Sequence, residues 1–241
     1  MLIDIHHHLL HGVDDGAQTL EETRQMLLRA QAQGVTHIVA TPHACPGEAR
    51  FPEERCRAHL AQTQEMCRQE GIPIEVCLGA EILYTEATAD ALCEGRIPTL
   101  AGTRYVLVEF IPDAPFEQLC GAARRLGSRG FQPIFAHAER YRCLGKLKNL
   151  EYLHDEYGVL MQVNAHTVLG KRGFFLDRWF RRAMEAGWID IAASDAHGLD
   201  RRSCRLGECK MELERCFGED AAQRLCIKNP SRILELLHLQ E

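Results

Sequence analysis

Short apolar runs and amphipathic stretches alternate along the whole chain. Seven runs are rich in branched or small apolar residues and predict strands over 2–5, 36–41, 74–78, 105–109, 133–136, 159–163 and 189–193. The stretches between them predict helices over 52–71, 85–94, 116–128, 144–157, 176–187 and 220–225, with a last helix starting at Pro230. This alternation indicates a parallel sheet covered by helices, either an open doubly wound sheet or a closed barrel.

The first helix shows how the pattern sets the limits of an element. Thr19 and Glu22 form a capping-box pattern, and Met26 and Ala30 recur on one face of a helix that ends before Gly34. No repeat, low-complexity tract or linker divides the 241 residues, of which 46% are hydrophobic. We therefore expect a single domain over 1–241 with a sizeable core.

Composition excludes several classes of function. The formal net charge of −6 argues against a nucleic-acid-binding surface, which would show clustered Lys and Arg. No apolar run approaches the roughly 18 residues of a membrane span and no signal peptide is recognisable, so we expect a cytoplasmic protein without membrane insertion. The eleven cysteines are odd in number and lack a C-x-x-C pair, which predicts reduced, structural thiols. None of these features indicates an oligomeric state.

Metal-ligating residue types recur where the predicted strands end. Six of the seven strands are followed by His, Asp or Glu, and the set comprises His6, His8, Asp15, His43, Glu81, Glu109, His137, Asp195 and His197. A barrel brings the carboxyl ends of all its strands to one face, which gathers five imidazoles and four carboxylates. Burying four carboxylates together without cations would be very costly, so two or three divalent ions are expected. With no cysteine among the ligands, Mn, Fe and Zn are all chemically acceptable.

The histidine triplet 6–8 fits this interpretation better than that of a purification-tag remnant. In an extended segment His6 and His8 point the same way and His7 points oppositely. A tag remnant would not predict matching residues at five other strand ends. We therefore interpret His6 and His8 as ligands and His7 as a bystander.

The motifs at these strand ends resemble those of a known superfamily. "DIHHHLLHGVDDGA" resembles the D-x-H-x-H…D-D-G opening of the PHP superfamily, named for polymerase and histidinol phosphatase. "TPH", "GAEI", "VEF", "AHAERY", "QVNA" and "SDAH" follow in the order of one branch, the bacterial manganese-dependent protein tyrosine phosphatases of capsule and exopolysaccharide loci. The resemblance spans 3–230 and implies a distorted (β/α)7 TIM-like barrel, with a trinuclear metal site, Mn being expected, held by the nine residues above.

The resemblance also implies roles for residues outside the ligand set. Arg140, and Arg202 or its neighbour Arg201, would contact phosphate, and the partner would be the phosphotyrosine tail of a bacterial tyrosine autokinase. The hydrolytic nucleophile would be a metal-bridging hydroxide, and a phenolate leaving group with a parent pKa near 10 would favour aryl phosphates. His11 departs from the relatives and is interpreted as a loop residue rather than a proton donor.

Several other functions are compatible with parts of this pattern. A histidinol-phosphate phosphatase would share the metal ligands, and a non-catalytic regulatory module would have lost some of them. An exonuclease is disfavoured by the acidic chain. Cysteine-based phosphatase chemistry uses a C-x5-R loop, and segments from Cys209 and Cys226 match it by letter. Both lack the glycine that such a phosphate cradle needs, and the first has helix-like sequence.

Overall fold

The computed structural model describes residues 1–170, 173–200 and 202–236. Its strands are all parallel and follow the predicted order, with small shifts in their limits. They are β1 (Leu2–His7), β2 (Val35–Ala40), β3 (His43–Ala44), β4 (Glu75–Leu78), β5 (Glu81–Leu83), β6 (Tyr105–Glu109), β7 (Gln132–Phe135), β8 (Leu160–Asn164) and β9 (Ile191–Ala193).

These strands occupy seven positions of a closed ring. β2 pairs with β4 and β3 with β5, so β2–β3 and β4–β5 are two long strands, interrupted at residues 41–42 and 79–80. β5 then pairs with β6, and β6 to β9 follow in order. Hydrogen bonds from Asp195 N to His6 O and from His8 N to Ala196 O, both 2.9 Å, join the ends of β1 and β9. The distorted seven-stranded barrel expected from the sequence is confirmed.

Helices cover the outside of the barrel. They are α1 (Leu20–Ala32), α2 (Glu53–Glu70), α3 (Thr88–Cys93), α4 (Phe116–Ser128), α5 (Leu147–Tyr157), α6 (Ala165–Leu169), α7 (Phe174–Glu185), α8 (Leu206–Phe217), α9 (Glu219–Gln223) and α10 (Asn229–Ile233). Glu22 N donates to Thr19 Oγ1 at 3.1 Å, as the capping pattern predicts. The sequence pattern does not predict α6. It predicts α8 only in part, through the helix-like segment that begins at Cys209. No helix in the described ranges has the length and apolar character that crossing a bilayer requires.

Apolar side chains fill the barrel, so that its polar groups are confined to one end. The interior cluster consists of Ile3, Ile5, Val39, Leu100, Leu107, Ile134, Ala136, Ile191, Ala193 and Ile233. Leu100 comes from a 3-10 turn beside β4, and Gly79 leaves it room, because a Cβ there would lie 2.7 Å from Leu100 Cδ2. A packed interior of this kind leaves the carboxyl ends of the strands as the place for a polar pocket.

An irregularity in β1 determines which way its polar side chains face. Between Asp4 and His7, β1 advances three residues while β2 advances two, which is a β-bulge. The bulge breaks the alternation of the strand, so Ile5 packs inside the barrel while Asp4 and His7 lie together on the same side of β1. His6 and His8 are left at the mouth of the barrel, the arrangement that the opening motif predicts.

Candidate metal centre

The structure brings all nine predicted ligands into one pocket around Glu81. Glu81 Oε2 lies 3.2 Å from His6 Nε2, 3.1 Å from His8 Nε2 and 3.1 Å from His43 Nδ1. Its other oxygen, Oε1, lies 3.0 Å from His137 Nε2. A carboxylate in contact with four imidazoles is positioned to bridge more than one ion.

The donor atoms form three overlapping groups whose members all lie within 4.8 Å of one another. The groups are His6–His8–Glu81–Asp195, His8–Asp15–His43–His197 and His43–Glu81–Glu109. His8, His43 and Glu81 each belong to two groups. His137 joins the set through Glu81 and through Glu109, whose Oε2 lies 3.5 Å from its Nε2. Shared donors of this kind suit a cluster of ions rather than separate sites.

The pocket runs from a buried end to an open one. The side chains of His6, Glu81 and Asp195 are at most 1% exposed, whereas those of His43 and Asp15 are 39% and 62% exposed. Substrate can therefore approach from the side of Asp15.

Protons take the place of cations in the metal-free protein. Burial would lower the pKa of His6, but the Glu81 and Asp195 carboxylates outweigh it and raise that pKa to about 9. For His43 burial is likewise outweighed by Glu109 and Glu81, and the pKa rises to about 11. The imidazolium charges in turn lower the pKa of Glu81 well below its usual range despite complete burial. The pocket is thus built to contain positive charge.

Two buried atoms that make no hydrogen bond, His197 Nε2 and Glu81 Oε2, indicate where a cation would bind. His197 Nδ1 contacts the Asp195 carbonyl oxygen at 3.0 Å, while His197 Nε2 is buried, makes no hydrogen bond and lies 3.3 Å from Asp15 Oδ1. Burial and the neighbouring His8 lower the pKa of His197 to about 4, so this ring is neutral and its free lone pair can bind a metal. Glu81 Oε2 also accepts no hydrogen bond, although three ring nitrogens surround it. The residues present therefore fit divalent ions.

Partners behind the ligands fix the orientation of the rings. His8 Nδ1 lies 2.7 Å from Asp14 Oδ2, and His6 Nδ1 lies 3.1 Å from Gln162 Oε1. Gln162 Nε2 donates to Asn164, whose amide donates in turn to Asp195 Oδ2 at 2.6 Å. Acceptors at Nδ1 place the proton there and leave each Nε2 lone pair for a metal.

Sequence reasoning missed these supporting residues. The sequence pattern points to Asp15 rather than to its neighbour Asp14, and it assigns no role to Gln162 and Asn164 of "QVNA". A signal was available, because among the seven barrel positions only β8 lacks a predicted ligand, and its last three residues include the two amides Gln162 and Asn164. A buried amide at a strand end is as informative as a carboxylate when its neighbours are ligands.

Two of the predicted ligands have a backbone conformation that side chains rarely adopt. The φ angle is +34° at His137 and +53° at Asp195, in the left-handed region. Strain of this kind persists where surrounding contacts over-determine it, as the Gln162 Oε1 bond to His137 N does here.

The two predicted phosphate-binding arginines lie beside the deep end of the pocket. Arg140 Nη2 donates to Asp195 Oδ2 and Arg202 Nη2 donates to Asp195 Oδ1, each at 2.9 Å. Both side chains are about one-third exposed. Arg201, the alternative to Arg202, lies outside the described residues. His11 stacks on His59 of α2, with ring centroids 3.9 Å apart.

Metal binding to this pocket is expected to release protons. A pH of 7 is below the pKa values of His6 (about 9) and His43 (about 11), so both rings are protonated. An imidazole that binds a metal must be neutral. Since the pKa values of His8 and His137 are raised as well, calorimetric titration of metal-free protein with Mn²⁺ should show release of at least about two protons per chain, read from the dependence of the enthalpy on buffer ionisation. Affinity should rise with pH from 6 to 9. An enthalpy identical in all buffers would contradict this account.

Asp14→Asn should weaken metal binding without removing a ligand. Asp14 Oδ2 faces His8 Nδ1 while Oδ1 accepts from Gly16 N, and an amide has only one acceptor oxygen for these two donors. We expect Mn²⁺ affinity to fall about 10- to 100-fold, measured by calorimetry. Asp200→Asn, which changes an exposed carboxylate, is the matched control and should bind normally. Equal affinity in the two variants would remove Asp14 from this role.

Comparison with known proteins agrees with this geometry. The chain is 31% identical over 239 residues to the tyrosine-protein phosphatase CpsB of Streptococcus pneumoniae, covering 97% of this chain and 98% of that protein. It is 33% identical over 224 residues to the tyrosine-protein phosphatase YwqE of Bacillus subtilis, covering 91% and 86%.

The match extends to three-dimensional structure. A crystal structure from work on YwqE and CpsB, described as metal-dependent tyrosine phosphatases, superposes with a TM-score of 0.88 at 30% identity, covering 97% of this chain and 94% of that one. The family model for capsular polysaccharide synthesis proteins CpsB/CapC matches residues 2–235. The resemblance deduced from the strand-end motifs is thereby confirmed, and the chain belongs to the CpsB/CapC family of capsular polysaccharide synthesis.

Proposed function

We propose that this chain is a metal-dependent tyrosine-protein phosphatase that acts in capsule or exopolysaccharide synthesis. The observation that carries the proposal is the pocket itself, in which nine metal-ligating side chains and two arginines meet at the mouth of the barrel. The near full-length similarity to tyrosine-protein phosphatases supports the same activity.

The reaction is hydrolysis of a phosphate monoester. Water adds to phosphorus, the bond from phosphorus to the tyrosine oxygen breaks, and the products are inorganic phosphate and a tyrosine hydroxyl that has gained a proton. When bound, divalent ions supply an activated water and positive charge for the phosphoryl oxygens. His6, His8, Asp195 and Glu81 would hold ions at the buried end, and His43, Asp15, His197, Glu109 and His137 would complete the set.

Arg140 and Arg202 would bind the non-bridging oxygens of the phosphoryl group. Each donates one N–H to Asp195 and keeps further donors, and Arg202 Nε is buried without a partner. The guanidinium fork matches phosphate geometry, and donors fixed in advance stabilise charge in the transition state.

The donor set supports two or three divalent ions and favours no single element. It contains imidazole and carboxylate groups and no thiolate, which suits Mn, Fe or Zn, and Mn is the ion we propose. A phenolate leaves readily because its parent pKa is near 10, so aryl phosphates are favoured over serine phosphates. The substrate we propose is the phosphotyrosine tail of a tyrosine autokinase, met in the cytoplasm at the inner face of the membrane.

Cysteine-based phosphatase chemistry has no support here. Cys209 lies within α8 and Cys226 in the π-helical turn Arg224–Lys228, and both side chains are fully buried. Neither thiol can meet a phosphopeptide in solution.

The proposal is tested with purified protein and phosphopeptides. Phosphotyrosine peptide should be hydrolysed, EDTA should abolish turnover and Mn²⁺ should restore it, whereas Cys209→Ser and Cys226→Ser should not change the requirement for metal. Phosphoserine peptide and histidinol phosphate should be much poorer substrates, because their leaving groups are alkoxides. Equal rates on phosphotyrosine and phosphoserine would overturn the substrate class, and faster hydrolysis of histidinol phosphate would point to the alternative enzyme. Absence of turnover with all three would indicate a regulatory module.

Removal of either arginine should slow catalysis while leaving the metal in place. We expect Arg140→Ala and Arg202→Ala each to lower kcat by about 10²–10³, the loss typical of one fixed donor to transition-state charge. Metal content per chain should stay at the wild-type value. Arg178→Ala, which changes an exposed arginine on α7, is the matched control and should keep full activity. A variant that lost its metal together with its activity would instead assign the arginine to support of Asp195.

A further inference from the structure

A second group of metal-ligating side chains lies outside the pocket. Asp4 and His7 of β1 and Cys204, just before α8, each offer a donor atom within 4.8 Å of the other two. All three residues are at most 2% exposed. Through its bulge, β1 presents His6 and His8 to the pocket and Asp4 and His7 to this buried group.

Among the described residues, no neighbour of His7 forms a hydrogen bond with its ring. Both ring nitrogens are buried and neither has a hydrogen-bond partner. A buried polar group normally finds a partner, because leaving it unsatisfied forfeits its interaction with water. A buried ring without hydrogen bonds, with a donor atom within 4.8 Å of a carboxylate oxygen and a thiol sulfur, indicates a place where a cation can bind.

The spacing of the donors fits a tetrahedral ion. Asp4 Oδ1 accepts from Ser194 N at 3.0 Å, whereas Asp4 Oδ2 faces Cys204 Sγ at 3.8 Å. Bond lengths of about 2.3 Å to sulfur and 2.1 Å to oxygen place two ligands of a tetrahedral Zn²⁺ about 3.6 Å apart. The separation of Asp4 Oδ2 and Cys204 Sγ is thus within about 0.2 Å of the value that a bound ion requires, and the His7 donor lies within 4.8 Å of both.

The summed charge of the three side chains and the presence of a thiol favour Zn²⁺ at this site. A carboxylate, a thiolate and a neutral imidazole carry two negative charges, which a divalent ion neutralises, so no net charge is buried. Burial and the Asp4 carboxylate raise the pKa of the Cys204 thiol well above its usual range, so the thiol keeps its proton until an ion displaces it. A thiolate ligand favours Zn²⁺ over Mn²⁺.

We infer that Asp4, His7 and Cys204 form a structural Zn²⁺ site, separate from the nine-ligand pocket. Ser194 lies beside the group, because its backbone N–H donates to Asp4 Oδ1 at 3.0 Å. An ion here would tie β1 to the segment that precedes α8.

The site can be detected independently of catalysis, because the nine-ligand pocket contains no cysteine. Protein produced in zinc-depleted, cobalt-supplemented medium should show a near-ultraviolet thiolate-to-Co²⁺ charge-transfer band. Zinc-loaded protein dialysed against EDTA should keep one equivalent of zinc per chain, measured by plasma mass spectrometry, because the site is closed to solvent. Cys204→Ser should lose both the band and the retained zinc. Cys67→Ser, which changes another buried cysteine on α2, is the matched control and should keep both.

Each outcome of these experiments either supports or overturns the zinc site. Wild-type protein with no charge-transfer band and no zinc after EDTA would overturn the inference, whatever the variants do. A band that survives Cys204→Ser would assign the thiolate to another cysteine and would overturn it equally. His7→Asn should also lose the band, and circular dichroism shows whether each variant is folded. If a variant fails to fold, the wild-type band together with the Cys67→Ser control still decides for or against a thiolate-bound ion.

Discussion

The charge balance around Glu81 is the constraint on which the rest of the pocket depends. Four carboxylates and five imidazoles meet where a barrel brings its strand ends together, and the deepest of them are sealed from water. Positive charge must therefore be present in every folded state, as protons on His6 and His43 or as metal ions. Metal binding to the site therefore exchanges protons for metal ions.

The barrel achieves this convergence through interruptions in its strands. β2–β3 and β4–β5 each break for two residues before their predicted ligand, and β1 carries a bulge between Asp4 and His7. Behind the ligands, Gln162 contacts His6 and His137 at once and is linked to Asp195 through Asn164. β8 contains no predicted ligand, yet its two amide side chains position three predicted ligands from other strands, which are His6, His137 and Asp195.

The sequence was sufficient to predict the seven strands and the convergence of the nine side chains proposed as ligands. Parallel strands bring their carboxyl ends to one edge, and the residue types His, Asp and Glu at those ends can be identified in the sequence. It was not sufficient for features that depend on loop geometry. Asp14 and Asp15 are adjacent, and which of them faces His8 is decided by a turn in which a Cβ at Gly16 would lie 2.2 Å from the His8 carbonyl oxygen. The group of Asp4, His7 and Cys204 was equally hidden, since it combines a bulge with a residue far along the chain.

The closure of the barrel between β1 and the residues after β9 has a consequence for biosynthesis. His6 and His8 precede Asp195 and Ala196 by more than 180 residues, so they are synthesised well before the partners with which they close the barrel. Contacts so distant along the chain form late. A chain that has not yet reached Asp195 therefore contains His6 and His8 together with Glu81 and Glu109, but it lacks the carboxylate that lies 3.4 Å from His6 Nε2, and its barrel is still open.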